Sequence, residues 1–525
     1  MAKVKTIRSN INSVSLKSNF EKLISVIRAM KPDELKTASN YILFGHNTKY
    51  KGVTGALFDL LVSNPNFTTD EIRVKLGEIS RSALEMAVIR LKEKLTFSLV
   101  SEFSTLKEGA YSDRYQSFFT GKYLIMQYHI LYKRGALHEA YDKIQRCVEI
   151  SKKYEWYDSL IEALYLQIEY LSKISEFNTI TEIEQEIVYY ELCRRNERKI
   201  RSIYDIVLAE DKKITNENER IDIYRKNIEY IEAIQESTIT SLSKYILLIL
   251  KVNFSALTKS YNLAEEYAQK LLSLTSNTPA LNQPDIVGIA SIFLAESLIP
   301  QKRYTEALTY IKTAKNYFSQ FSINYGETLE LEFIIYLNSG KPELSTEIAK
   351  ELCDIKNYPV TPYHKNRRLF MWASAEFASG NYSQAWDIVA EIGNIHYDKA
   401  GWKIGIRLLQ LLLIKELEDY VAVERYLQTW KREMASMRKH IAMRKRDIRL
   451  FNILYRLLKS NLSWHGFFKQ NKTDLDELMI DDELKWTVGS HELINVALWI
   501  YSKGLRMPYT EMMKKGDQQI ANVLR

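Results

Sequence analysis

Glycine and proline are scarce in this chain: 18 Gly and 9 Pro stand among 525 residues. Together they make up about 5%, against roughly 12% in average usage. Strand-rich folds need these residues at their many turns, and doubly wound folds need them in phosphate loops. A chain this poor in both is predicted to be mostly helix. Its apolar residues agree, recurring at three- and four-residue steps from Phe20 to Leu462 with no sustained alternation.

At 525 residues a single compact core is not expected. Helices of about 15 to 20 residues alternate with short breaks at Arg134-Gly135, Ser260-Tyr-Asn262, Ser339-Gly-Lys-Pro342 and Ser379-Gly-Asn381. That rhythm predicts antiparallel helix pairs. Between 180 and 234, where Glu182 to Arg201 is densely charged, one or two long helices with a solvated face are expected.

The pairs repeat a residue pattern. A small residue on a first helix is followed by a tight turn, an aromatic, and a small residue three positions later. Ala295…Tyr304-x-x-Ala307-x-x-x-Ile311-x-x-Ala314 is the fullest copy, and Ala373…Gly380-x-Tyr382-x-x-Ala385-x-x-x-Val389 is a second. Gly135-x-Leu137-x-x-Ala140-x-x-x-Ile144-x-x-Cys147 is a third, with partial copies from Tyr261 and Gly340 and a weaker one from Tyr420. The helices cross closely at the small residues, and a lone pair cannot bury its apolar face, so pairs must stack. Residues 112–438 resemble the tetratricopeptide repeat in this respect, although the first-helix Trp and closing Pro of that repeat are mostly missing. The resemblance implies an all-α solenoid whose concave surface binds a protein or peptide. The expected division is an N-terminal helical module at 1–108, a solenoid at 109–462 and a C-terminal helical cap at 463–525.

Two regions stand out as candidate contact surfaces. In the N-terminal module, Gly52–Ser63 reads as a helix, Thr68 or Thr69 can cap a short helix starting near Asp70, and Gly77 suits its exit before a helix at Arg81–Leu95. Residues 52–95 thus resemble a helix-turn-helix, winged if a small β-ribbon forms near Thr96–Ser104. Arg81 and Arg90 would be its nucleic-acid contacts. The favoured role for this module is instead a cap on the first face of the solenoid. In the second region no Gly or Pro interrupts residues 406–465, so residues 420–460 are expected to be nearly continuous helix. There Lys431, Arg438, Lys445, Arg449 and Arg456 line one flank of an apolar stripe that Arg444 interrupts, forming a basic face for an acidic partner.

Charge follows these regions. The chain is net +8, yet residues 1–100 carry +7 and residues 431–449 carry +6, leaving the remainder at −5. The chain is not a uniformly basic nucleic-acid binder. Cys147, Cys193 and Cys353 form no CxxC, so a disulfide framework is excluded and a cytoplasmic setting is expected. No secretory signal is read at the N-terminus, and apolar runs such as Tyr245–Leu250 are too short to span a membrane.

Phosphate loops, zinc-ligand His pairs and a Gly-x-Ser-x-Gly elbow are all missing from the sequence. No cofactor, metal or catalytic residue is therefore expected. The predicted function is a non-enzymatic scaffold or adaptor, with a transcriptional regulator as the runner-up.

Overall fold

The computed structural model describes residues 19–30, 32–43, 52–102, 113–211, 213–214, 217–320, 322–354, 361–393, 401–418, 420–437, 444–460, 463–481 and 483–514. Among them every regular element is a helix and no strand occurs. The chain falls into two compact units, residues 1–151 with 162–174, and residues 152–161 with 175–525.

The first unit begins with helical residues 19–29 and helices Pro32–Leu43, Val53–Ser63, Thr69–Lys75 and Arg81–Glu102. Their core gathers Leu23, Leu57, Leu61, Ile72, Leu84, Val88 and Leu91. Thr68 is the N-cap: its hydroxyl accepts from the Glu71 N–H, while the Glu71 carboxylate accepts from the Thr68 N–H at 2.7 Å. Gly77 leaves that helix at φ +85°, as its position predicts. The β-ribbon considered for 96–104 is not formed at 96–102, which is helical. Buried Leu84, Val88, Leu91, Leu95 and Ser98 keep helical spacing through that stretch and carry the helix on. Residues 103 and 104 lie outside the described residues.

Helices Asp113–Lys133 and Leu137–Tyr154 form the first pair. They meet at Gly121, where a Cβ would stand 3.8 Å from the Cys147 sulfur and 3.7 Å from the Ser151 hydroxyl. Burial pushes the Cys147 thiol pKa up to about 11, in keeping with its packing against Gly121.

In the second unit, Phe177–Asp211 and Glu217–Gln235 are the two long helices expected at 180–234. Pairs then follow one another: Ser241–Leu257 with Tyr261–Asn277, Pro284–Leu298 with Tyr304–Tyr317, Ile323–Asn338 with Pro342–Asp354, and Pro362–Ala378 with Tyr382–Ala390. Each of these helices packs on its chain neighbour. Ala264, Ala268, Ala295, Ala307, Ala349, Ala373 and Ala385 are fully buried at the crossings.

The turns show the repeat more clearly than the residues do. A left-handed residue stands two positions before the second helix at Gly135, Lys259, Lys302, Gly340 and Gly380. In each case the next N–H reaches back to the carbonyl five residues earlier, as in Arg303 to Leu298 at 3.2 Å and Asn381 to Glu376 at 2.9 Å. Left-handed geometry costs a non-glycine residue about 1 kcal/mol or more. Its recurrence at Lys259 and Lys302 shows that stacking, not local preference, imposes the turn.

The last pair is Trp402–Glu416 with Tyr420–Met437. The expectation of one nearly continuous helix over 420–460 does not hold. Arg444 is extended (φ −68°, ψ 147°) and a separate helix starts at Lys445–Lys459. The cause is Asp447, whose carboxylate accepts from the Arg444 backbone N–H at 3.2 Å and fixes a helix start there. Helices Trp464–Gln470, Lys472–Ile480, Val496–Gly504 and Tyr509–Lys514 complete the unit. They share one core with the preceding pairs, running from Leu329 and Phe333 through Leu412 and Leu454 to Trp499 and Met512.

Candidate functional site

On the first helices of four pairs, a line of residues at helical spacing is left exposed or partly exposed. On Pro284–Leu298 that line is Asp285, Ile289, Phe293 and Glu296, spaced four, four and three residues apart. On Ile323–Asn338 it runs through Ile323, Glu327, Glu330 and Ile334. His364 and Arg367 follow on Pro362–Ala378, then Lys403, Arg407 and Gln410 on Trp402–Glu416. Each line is one helical stripe, left open because both flanks of a first helix pack on neighbours. We call this the inner face.

Its electrostatics are uneven. Glu330 is held by Arg367 at 2.7 Å, and Arg407 grips Glu433 through two bonds of 2.7 and 2.8 Å. Glu296 forms no ion pair among those found in the described residues. Its side chain is exposed to solvent, although protein atoms crowd around its carboxyl group. Burial, reinforced by the negative charge of Glu327, pushes its pKa up to about 7. Glu327 is raised too, by burial and then by Glu330, with Arg367 acting against the shift. Two carboxylates on neighbouring helices thus disfavour their own charged forms, and a cation placed between them would be stabilised.

A loop from Leu484 to Glu492 packs on the pairs, with Val488 beside the core of the 241–338 pairs and His491 against Gly405. Its base is held by Arg446, a residue only 1% exposed. The guanidinium donates to the Glu492 carboxylate at 2.6 and 2.9 Å, to the carbonyls of Leu484 and Leu478 at 2.6 and 2.8 Å, and to Asn495 at 3.3 Å. One side chain therefore grips both ends of the loop. The Trp486 indole N–H donates to the Glu492 carbonyl at 2.8 Å and braces it further. Beside it, Asp447 would have its pKa raised by burial. Hydrogen bonds from His491 and Arg444 and their positive charge hold it down instead, at about 2.

The residues predicted as a basic face are placed as follows. Lys431 is exposed on Tyr420–Met437, and Arg438 lies outside the described residues. Lys445, Arg449 and Arg456 are exposed on Lys445–Lys459, but each faces a carboxylate of this same chain. Lys445 pairs with Glu483, Arg449 with Glu477 at 2.8 Å, and Arg456 with Asp474. Arg444, which interrupts the apolar stripe in the sequence, is two-thirds buried against Asp447. In the N-terminal module Arg81 and Arg90 are both exposed. They stand nine positions apart on one helix, about 900° of rotation, and so on opposite sides of it.

Sequence reasoning did not find Glu296, Glu327 or the Arg446 grip. Glu296 and Glu327 are brought together only by stacking. Arg446 looked like one more member of a basic run.

These pairs, turns and buried small residues decide the architecture. The fold is a tetratricopeptide-like all-α solenoid. No family profile and no curated protein matches the sequence. Among solved structures, the chain is similar to a signal transduction ATPase with numerous domains and a tetratricopeptide repeat sensor from Pyrococcus horikoshii. The identity is 16%, the TM-score 0.28, and the match covers 69% of this chain and 52% of that one. The chain thus spans about half the length of that protein. It is also similar to the P58(IPK) TPR domain, at 13% identity and TM-score 0.19, over 73% of this chain and 98% of that one. A third is the Naa15/Naa10 structure bound to HypK-THB, at 14% identity and TM-score 0.27, over 97% and 78%. At such scores the architecture rests on the chain's own geometry.

Proposed function

We propose that this chain is a non-enzymatic scaffold that binds a protein partner through the inner face of the pairs between residues 284 and 437, and that the bound segment is cationic. The observation that carries this reading is Glu296. Its charge is disfavoured by the protein crowding it and by Glu327, no ion pair to it is found among the described residues, and an incoming lysine or arginine would supply a partner. Ile289, Phe293 and Ile334 on the same lines offer apolar contact beside it. The basic face of Lys445–Lys459 is the weaker surface, because its cations already face carboxylates.

The supporting setting is cytoplasmic. Cys147, Cys193 and Cys353 are free thiols, and no helix among the described residues is long and apolar enough to cross a membrane.

The test is cross-linking of the full chain to its partners, with contacts mapped by mass spectrometry. Glu296→Lys with Glu327→Lys should remove the partner that cross-links to the inner face and leave helix content intact. Retention of that partner by the reversed chain would sink the reading.

A further inference from the structure

Two tight turns and the segment Val496–Lys514 meet along a seam. One turn, at Gly340, joins Ile323–Asn338 to Pro342–Asp354, and the other, at Gly380, joins Pro362–Ala378 to Tyr382–Ala390. A Cβ on Gly340 would stand 2.7 Å from the Thr510 carbonyl oxygen and 2.9 Å from the Lys514 side chain, so the first turn lies directly on the segment. Lys503 ties the segment to the second turn. Its ammonium donates to the Tyr382 hydroxyl at 3.4 Å and pairs with Glu416 at 2.6 Å. Phe377 and Trp499 meet across the same seam, with ring centroids 5.9 Å apart.

The seam does not close completely. It leaves a cavity of about 500 Å³, lined from both sides and of a size that suits a small ligand. Phe377, Tyr382, Trp499 and Tyr509 give it aromatic walls, which favour a flat or apolar body. Two lining residues also hold polar atoms without a hydrogen-bond partner among the described residues, the Trp499 indole N–H and the Ser379 hydroxyl. A buried donor left alone costs about 1–3 kcal/mol, so an occupant that offers acceptors is stabilised there. The charges narrow its chemistry further. Lys503 is already answered by Glu416. Glu343 and Arg506 also line the cavity, both are exposed, and neither forms an ion pair among the described residues. Glu343 comes from the pairs and Arg506 from the segment opposite, so the seam presents one free charge of each sign, one from each side.

We propose that this cavity binds a small zwitterion with an apolar side group, of which an aromatic amino acid is the simplest form. Its carboxylate pairs with Arg506, whose guanidinium can grip both oxygens, and its ammonium pairs with Glu343. Its side group enters among the aromatic rings. A ligand of one sign only would leave either Glu343 or Arg506 without a partner. None of the residues lining the cavity belongs to the inner face, so the proposal stands apart from the cationic partner and is tested separately.

Isothermal titration calorimetry of the full chain with L-phenylalanine, up to about 10 mM, is the test. Saturable binding at one site is expected. Phenethylamine lacks the carboxylate and 3-phenylpropionate lacks the ammonium, so each should bind the native chain at least tenfold more weakly. Arg506→Gln and Glu343→Gln should each weaken phenylalanine at least tenfold, with circular dichroism and melting temperature unchanged, because both side chains are exposed. Glu343→Gln should also shrink the gap between phenylalanine and 3-phenylpropionate, which a general loss of structure would not do. Absence of saturable binding to the native chain overturns the site. Equal binding of phenylalanine and either analogue overturns the zwitterion, and that comparison needs no variant to fold. Unchanged affinity in both variants would put the amino acid elsewhere on the chain and overturn the proposal as well.

Discussion

The pairs between Ser241 and Ala390 and the segment that begins at Arg444 are both well buried, but they are held by opposite means. In the pairs, contact points are small and apolar, and Ala264, Ala295, Ala307 and Ala385 have no exposed surface. In the later segment the centre is polar, with Arg446, Asp447, Glu492 and His491 all under 9% exposed. Apolar contacts are non-directional, so the pairs can absorb changes of residue as long as volume is kept. The polar centre depends on each partner being present, because a buried charge left alone is expensive. The difference explains where a loop can be tied. A loop without helix of its own needs directional bonds at its base, and only the polar centre provides them.

The largest effect should come from Arg446→Met. That change leaves the Glu492 carboxylate buried without its cation and the Leu478 and Leu484 carbonyls without a donor. Breaking a buried pair from one side costs about 3–5 kcal/mol. A urea denaturation midpoint for the full chain measures it. Combining Arg446→Met with Glu492→Gln should restore part of the loss, since the orphaned charge is then gone. A loss below about 1 kcal/mol for Arg446→Met alone would mean that the polar centre is not what holds this segment.

A smaller effect is expected in the pairs. Ala307→Leu or Ala385→Leu forces three extra heavy atoms into a closed helix crossing and should cost about 1–3 kcal/mol. The same denaturation experiment reads it. Unchanged midpoints for both would remove the close crossings from which the solenoid is argued, and with them the contrast with the polar centre.

The two regions were also unequally legible in the sequence. The pairs are written locally: Tyr304-x-x-Ala307 and Tyr382-x-x-Ala385 lie within one helix each, and Gly135, Gly340 and Gly380 mark turns that glycine favours. Lys259 and Lys302 make the same turn but give no such signal, because their left-handed geometry is imposed by packing. That is why the copies looked irregular. The polar centre is not local at all. Arg446 meets Glu492 across 46 residues, and in the sequence it could not be told from the exposed Lys445 and Arg449 beside it. The missing breakers between 406 and 465 suggested one helix, yet Asp447 ends the extended stretch by accepting from the Arg444 N–H. Glu296 and Glu327 likewise become neighbours only when successive first helices stack.

The smallest effect sharpens the comparison most, because it falls on the same helix as the largest. Lys445 and Arg449 flank Arg446 in the sequence, but their side chains are 74% and 47% exposed where that of Arg446 is 2% exposed. All three are paired with carboxylates. If pairing alone decided stability, reversing Lys445 and Arg449 to Glu would be as damaging as losing Arg446. Water screens the exposed pairs, however, and Glu483 and Glu477 lose little when their partners go, because solvent takes over. Lys445→Glu with Arg449→Glu should therefore leave the denaturation midpoint close to that of the native chain, and any small drop should shrink as salt is raised and the Debye length falls. A drop matching Arg446→Met, insensitive to salt, would show that this face is built into the fold. Burial would then not be what separates the two kinds of cation on helix Lys445–Lys459.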